Sequence, residues 1–286
     1  MKALKFIKIV FMSLLTLVVV VLLLLGWFGS GWGIKSTPQD HPFYSGEPRM
    51  IAHRGVSDAA PENTLAATDR ALELGFEAME IDIKESADQQ FFLFHDRNGS
   101  RLLNDPGPVG PQDLDIIQQW PLYYKGQATD HRIPDLESFL SQYRGELTLY
   151  FDVKRHGNDR YAYLADKLWE IIQRYDLVDK AFVGSDFLFT AYLEYRYPEL
   201  HTVFTGPGDG NIFIYHWIPK KFRPDFIISY AREVTPDHLE WLRRNDLMHR
   251  RMLYGVNEET FQDVIQMGVP ILVVDYHPVM ADHLNQ

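Results

Sequence analysis

The sequence predicts an α/β fold of the TIM type, a (β/α)8 barrel preceded by one N-terminal transmembrane helix. Three observations point there. Short, nearly continuous apolar runs alternate with amphipathic helical patterns from residue 49 onward, the habit of parallel strands buried on both faces. Polar and charged side chains collect where those runs end, as they do at the C-terminal face of a barrel. A long uncharged stretch precedes all of this.

Composition narrows the class further. Of the 286 residues 46% are hydrophobic, which excludes a disordered or collagen-like chain. The absence of cysteine excludes a disulfide framework, a thiolate metal site and a cysteine nucleophile. Residues 1–35 carry four lysines and no acid, leaving 24 basic against 39 acidic residues in the remainder. A surface of net charge −15 repels phosphate backbones, so nucleic acid is not an expected partner.

The elements follow in order. Ile9–Phe28 (IVFMSLLTLVVVVLLLLGWF) has twenty residues without a charge, enough for a helix to cross about 30 Å of hydrocarbon, so residues 1–28 read as a membrane anchor. It is longer than the apolar core of a cleaved signal peptide, and Trp27, Phe28 and Trp32 suit an interfacial belt. Lys2, Lys5 and Lys8 favour a cytoplasmic N-terminus with the following domain on the extracytoplasmic side. Residues 29–48, rich in Gly, Pro and Ser, read as a linker. Residues 49–286 form the barrel domain. Its strand candidates are 50–53, 76–83, 91–95, 147–153, 180–184, 201–205, 225–229, 251–256 and 270–275, and helices are expected over Asn63–Leu74, Asp159–Tyr175, Thr235–Asn245 and Glu258–Met267. Nine runs exceed the eight of a barrel, and the link from Ile83 to Phe91 is too short for a crossover helix. A hairpin turning at Asp88-Gln89 accounts for the extra run and sets Asp82 roughly opposite His95. Residues of about 97–134, with three prolines and two glycines in 106–111, read as an insertion.

Chemistry concentrates at four strand ends. His53 and Arg54 end the first strand. Glu80 and Asp82 stand two apart on the second, so alternation turns both carboxylates to one face. His95 and Asp96 follow the FFLF run, and Asp152 and Lys154, again two apart, follow LTLYF. Like charges on one apolar strand are costly unless a cation or proton intervenes. Three oxygen donors, Glu80, Asp82 and Asp152, suit a hard divalent metal such as Mg2+ or Ca2+. Arg54 and Lys154 supply positive charge for a phosphoryl group, and His53 and His95 can divide proton removal and proton donation. The set fits metal-assisted phosphodiester cleavage. His131, His156, His201, His216, His238, His249, His277 and His283 lack comparable partners and read as surface or core residues. The aromatic run Phe213–Trp217 reads as a packing element, with a lip for an acyl chain as the alternative.

Residues 51–96 strongly resemble the glycerophosphodiester phosphodiesterase family, through HRG at 53–55, PENT at 61–64, Gly75, ExD at 80–82 and HD at 95–96. RIPDLESFL (132–140), FDVK (151–154), YGVN (254–257) and GVPILVVDYHP (268–278) resemble later family segments more loosely. The resemblance implies a TIM-type barrel of the phospholipase-C-like phosphodiesterase kind that hydrolyses glycerophosphodiesters to an alcohol and glycerol phosphate with a divalent metal; taken with the membrane anchor, the site also admits lysophospholipids at the bilayer as an alternative substrate class. It implies His53 and His95 as the acid/base pair, Arg54 and Lys154 as phosphate ligands, and Glu80 and Asp82 as metal ligands. Asp152 stands where the family usually has Glu, one methylene longer, and Tyr254 where a Trp commonly lines the pocket. Asn63 either orders the first loop or caps a helix, and Asp275 has a family counterpart but equally reads as a structural strand end. A catalytically silent barrel that binds a phospholipid headgroup or a partner protein is the competing reading.

Overall fold

The computed structural model describes residues 2–29, 49–105, 107–155, 160–205 and 214–284. Residues 30–48 of the expected linker, His156 and Phe213 lie outside the described residues, as does Trp32. Helix α1 (Lys2–Gly29) leads the chain, and its Lys5–Gly26 portion is exposed throughout, with a mean hydropathy of 3.0. It is long and apolar enough to span a bilayer, a test that a signal sequence also passes.

Eight parallel strands then close on themselves. They are β1 (Arg49–His53), β2 (Ala78–Glu85), β4 (Thr148–Val153), β5 (Ala181–Ser185), β6 (His201–Thr205), β7 (Phe226–Tyr230), β8 (Arg251–Val256) and β9 (Ile271–Val274); β3 (Phe91–Leu93) is the ninth strand of the sheet. Strand β1 pairs with both β9 and β2, which completes the barrel. The ninth run is therefore no barrel stave. Strand β3 runs antiparallel to β2 as a hairpin, with Ile83 opposite Leu93. The register corrects one expectation by a residue: Asp82 faces Phe94, whose N–H donates to the Asp82 carbonyl at 3.1 Å, and His95 lies one position beyond.

Helices α2 (Leu65–Glu73), α3 (Leu136–Tyr143), α4 (Tyr161–Arg174), α5 (Phe187–Arg196), α6 (Pro236–Arg244) and α7 (Phe261–Met267) cover the barrel, four of them started by a side chain that caps free N–H groups: Thr64, Asp135, Asp186 and Thr235. The described part of the aromatic run is a short packing turn of helix, Ile214–Trp217, with Tyr215 buried and its hydroxyl donating to the Pro224 carbonyl. Between residues 97 and 134 lie one short helix (Leu114–Ile117) and a two-stranded ribbon pairing Tyr123–Tyr124 with Gln127–Ala128. This segment has a small core of its own, in which Leu102, Leu103, Val109 and Leu122 pack with Phe92 and Phe94.

The barrel interior is filled low down and polar at the mouth. Ile51, Ala78, Tyr150, Phe182, Val203, Phe226, Met252 and Ile271 form a closed apolar plug. Each strand alternates, so the next inward positions toward the C-terminal ends are His53, Glu80, Asp152 and Tyr254. A β-carbon at position 184 would overlap the Tyr150 hydroxyl, which explains a glycine in that stave.

Candidate active site

The loop after β1 is built by backbone conformations that few residues accept. Arg54 (φ 56°) and Gly55 (φ 80°) both adopt left-handed geometry, and a β-carbon on Gly55 would stand 2.7 Å from the Ala67 carbonyl oxygen. The close approach lets the Val56 N–H donate to that same carbonyl at 2.9 Å and the Asn63 N–H to the Arg54 carbonyl at 2.9 Å. Thr64, rather than Asn63, caps α2 by accepting from the Ala67 N–H. Asn63 is left free to order the loop: its Nδ2 donates to Asp82 Oδ2 at 2.7 Å, and its Oδ1 accepts from the Asp82 N–H at 3.1 Å.

Strand register brings the acids together. His53 pairs with Glu80 across β1–β2, and Asp82 with Asp152 across β2–β4. One carboxylate oxygen from each of Glu80, Asp82 and Asp152 lies within 4.8 Å of the others, and all three residues are buried. Lys154 Nζ bridges Asp82 Oδ1 (3.0 Å) and Asp152 Oδ2 (2.6 Å). Arg54 Nε lies 3.0 Å from Asp82 Oδ2, and the Arg54 backbone N–H donates to Glu80 Oε2 at 3.0 Å. The other Glu80 oxygen, Oε1, is buried with no hydrogen-bond partner among the described residues. A buried carboxylate oxygen without a donor is costly, so that atom calls for a cation or a proton. Electrostatics agree: burial, then Asp82 and Asp152, push the Glu80 carboxyl well above the usual range. For Asp82 burial works the same way, but Lys154 and Arg54 outweigh it and hold the carboxyl below its ordinary value. Three oxygens at these separations, one of them orphaned, fit a hard divalent ion. The shorter Asp152 still reaches the cluster.

Each histidine is held by a carboxylate. His53 Nδ1 donates to Asp275 Oδ1 at 2.7 Å, and His95 Nδ1 donates to Asp96 Oδ1 at 2.6 Å. Burial alone would raise the Asp275 carboxyl; the hydrogen bond from His53 overrides it and lowers it. The Tyr150 hydroxyl donates to that of Tyr254 (2.8 Å), and Tyr254 donates to Asp152 Oδ2 (3.0 Å). His95, Asp152, Lys154 and Tyr254 line one cavity of about 730 Å3, whose far wall holds Thr205, Tyr230 and Glu233. The His53 ring sits 6.3 Å from that of Tyr254.

All eight expected positions thus belong to one mouth. The sequence reading did not single out Glu62 and Arg101, which tie Arg54 to Asp96, and it left Asp275 open. Their only signals were the acid within PENT and a basic residue six positions after His95.

Comparison with known proteins agrees with this geometry. Residues 53–186 match the model of the Glycerophosphoryl diester phosphodiesterase family. A Bacillus subtilis protein bearing the provisional name glycerophosphodiester phosphodiesterase is 27% identical over 245 residues, 79% of this chain and 94% of its own length. Mouse glycerophosphodiester phosphodiesterase 1 is 35% identical over 133 residues, 44% of this chain and 40% of that relative. Among solved structures, a phosphodiesterase from Oleispira antarctica in complex with the product sn-glycerol-3-phosphate superposes with a TM-score of 0.72 at 21% identity, covering 85% of this chain and 98% of that one. A glycerophosphodiester phosphodiesterase from Agrobacterium tumefaciens gives 0.66 at 22% identity, covering 82% and 99%. At those identities the structural likeness establishes the TIM-barrel fold.

Proposed function

Because the chain belongs to the glycerophosphodiester phosphodiesterase family, whose members are phosphoric diester hydrolases, we propose that it cleaves glycerophosphodiesters to an alcohol and glycerol phosphate with a divalent metal, Mg2+ or Ca2+, held by Glu80, Asp82 and Asp152. The observation that carries this reading is the unpartnered Glu80 Oε1 inside a three-carboxylate cluster bordered by two cations and two carboxylate-held histidines. When bound, the ion would supply Lewis-acid polarisation of a phosphoryl oxygen.

The chain's own groups do the rest. Arg54 forms an ion pair with Asp82 through Nε (3.0 Å), without hydrogen-bond alignment, and donates from one terminal nitrogen, NH1, to Glu62 (2.8 Å), leaving NH2 for a phosphoryl oxygen. Burial disfavours the Lys154 charge, but Asp152 and Asp82 outweigh it, so Lys154 stays protonated as a second phosphate ligand. With Nδ1–H given to Asp275 or Asp96, each histidine keeps Nε2 for proton exchange. One takes the proton from the attacking oxygen; the other gives a proton to the leaving alcohol oxygen. Tyr254 lines the substrate pocket. The domain division follows from this reading: residues 1–28 anchor the protein, 29–48 link, and 49–286, with the insertion at about 97–134, carry catalysis outside the cytoplasm. An anchored barrel would meet glycerophosphodiesters released from phospholipids, and lysophospholipids at the bilayer itself. A silent headgroup-binding barrel would be under no constraint to keep both histidine–carboxylate pairs.

The test is a panel of glycerophosphodiesters and lysophospholipids, assayed with chelator and with Mg2+, Ca2+ or Mn2+ restored in turn. Glycerophosphocholine turnover should vanish with chelator and fall at least about 1,000-fold in His53→Ala and Glu80→Ala. Undiminished turnover in either variant would rule out the assigned roles, and headgroup binding without cleavage under any of the three ions would favour the silent barrel.

A further inference from the structure

Arg101 touches none of the groups assigned to metal, phosphate or proton transfer, yet it binds the two carboxylates that hold such groups in place. Its Nε donates to Asp96 Oδ2 at 2.8 Å, and Asp96 Oδ1 in turn receives His95 Nδ1–H at 2.6 Å. Its two terminal nitrogens straddle Glu62, at 2.6 Å to Oε2 and 2.7 Å to Oε1. Glu62 Oε1 also accepts from Arg54 NH1 at 2.8 Å. The chain of contacts is continuous from His95 to Arg54, and every link is charged on at least one side. Such forked guanidinium–carboxylate pairs fix direction as well as distance.

The backbone under Arg101 is itself pinned. Leu102 and Leu103 are buried beside it in the small core shared with Phe92 and Phe94. The Leu103 N–H donates to the Gly99 carbonyl at 2.8 Å, and the Tyr123 N–H donates to the Leu102 carbonyl at 2.7 Å. The segment after His95 therefore presents a guanidinium at a fixed place. Burial works against ionised Glu62 and Asp96, but the cations beside them prevail, Arg101 first, and both carboxyls are held below their ordinary values.

We infer that Arg101 is a positioning residue for the reaction: it locks Asp96 against His95, so that His95 carries its proton on Nδ1, and through Glu62 it aims Arg54 at the phosphoryl group. This rests on the proposed phosphodiesterase reading for its kinetic consequence, but not for its structural one. The excursion at 97–134 then does more than pack on Phe92 and Phe94, since its first turn sets the geometry of His95 after the hairpin and of Arg54 on the first loop.

Two measurements on the full-length chain in detergent separate the possibilities. In the kinetic one, with glycerophosphocholine and Mg2+, Arg101→Met should lower kcat about 10–100-fold, as loss of an orienting partner does, with KM changing less. Arg101→Lys, which keeps the charge but cannot fork, should recover part of kcat. Adding Arg101→Met to Asp96→Asn should cost far less than the product of the two single losses. In the second measurement, 15N spectra of histidine-labelled protein, with His95 assigned through His95→Gln, should show the Nδ1–H tautomer in the wild type and a mixture in Arg101→Met. That readout needs no turnover, so an inactive wild type would overturn the phosphodiesterase reading while the tautomer still decides the role of Arg101. Unchanged kcat in Arg101→Met, fully multiplicative losses, or an unaltered His95 tautomer would each overturn the inference. Should Arg101→Met fail to fold, Arg101→Lys carries both readouts, and wild-type behaviour in that variant by both would overturn it as well.

Discussion

The two sides of the barrel mouth are made of different chemistry. Strands β1, β2 and β4 and their loops bring Arg54, Glu62, Glu80, Asp82, Asp152 and Lys154 into a dense lattice of charge. Strands β5 to β8 give the same cavity Ser185, Thr205, Tyr230 and Tyr254. On the first side Arg54, Lys154, Glu62, Asp82 and Asp152 are each paired with an opposite charge, while Glu80 receives only the Arg54 backbone N–H. The second offers hydroxyls and ring faces, with Tyr230 exposed and its ring 6.0 Å from that of Tyr254. Under the proposed function the difference divides reaction from selectivity: phosphoryl chemistry needs fixed ions, whereas the alcohol of a diester varies and needs a wall that can be changed without disturbing them. The family match, residues 53–186, covers the ionic side and β5 and ends before Thr205, Tyr230 and Tyr254.

The largest expected break comes at the centre of the ionic side. Asp82 is fully buried and is shared by Lys154, Arg54 and Asn63. Asp82→Asn leaves two mostly buried cations facing a neutral amide, and removing one member of a buried ionic set costs about 3–5 kcal/mol. Urea unfolding of the apo-protein should register that loss, and turnover should fall by about three orders of magnitude or more. A variant as stable as the wild type would mean that the lattice is not what holds this side together.

Acid should separate the two sides in the same order. Glu62, Asp96 and Asp275 have carboxyls held low in the folded protein by Arg101, Arg54 and His53. In the window between their depressed values and an ordinary carboxyl near 4, the unfolded chain binds more protons, so stability rises with pH there. The contribution is complete above that window and is lost as pH falls through it. Glu80, held high, works the other way and gains as pH falls, so hydrogen exchange followed downward from the ordinary carboxyl range should show residues 49–105 losing protection before β6 to β8. Simultaneous loss would erase the distinction drawn between the sides.

Legibility in the sequence followed the same boundary. Glu80 with Asp82, and Asp152 with Lys154, could be read because a strand's period of two is a local rule, and the barrel's convergence at one mouth supplied the rest. The antiparallel β3 was likewise legible from a link too short for a helix. What could not be read were partnerships that depend on the paths of loops. Arg101 and Glu62 are 39 residues apart, and His53 and Asp275 are 222 apart; no spacing rule joins them. Asn63 illustrates the limit on a smaller scale. Its residue type suited a cap, but a left-handed turn at φ 55° moved the cap to Thr64 and delivered the amide to Asp82. The packing reading of the aromatic run held over its described residues, where Tyr215 is buried and satisfies its hydroxyl at the Pro224 carbonyl.

Tyr254 stands on the seam between the two sides, and its replacement is the finest probe of them. The ring belongs to the aromatic wall, while the hydroxyl passes a hydrogen bond from Tyr150 to Asp152. Tyr254→Phe keeps the ring and deletes one bond to a carboxylate, about 1 kcal/mol of support, so kcat/KM should fall roughly fivefold. How that loss is distributed over substrates is the informative quantity. If the hydroxyl serves Asp152, every ester in the panel should slow by the same factor, because each would use the same proposed metal ligand. If it serves the alcohol, esters with hydroxyl-rich alcohols should lose more than glycerophosphocholine. The geometry, with the hydroxyl 3.0 Å from Asp152 Oδ2, leads to the uniform factor, and an uneven one would move the seam to the ionic side of Tyr254.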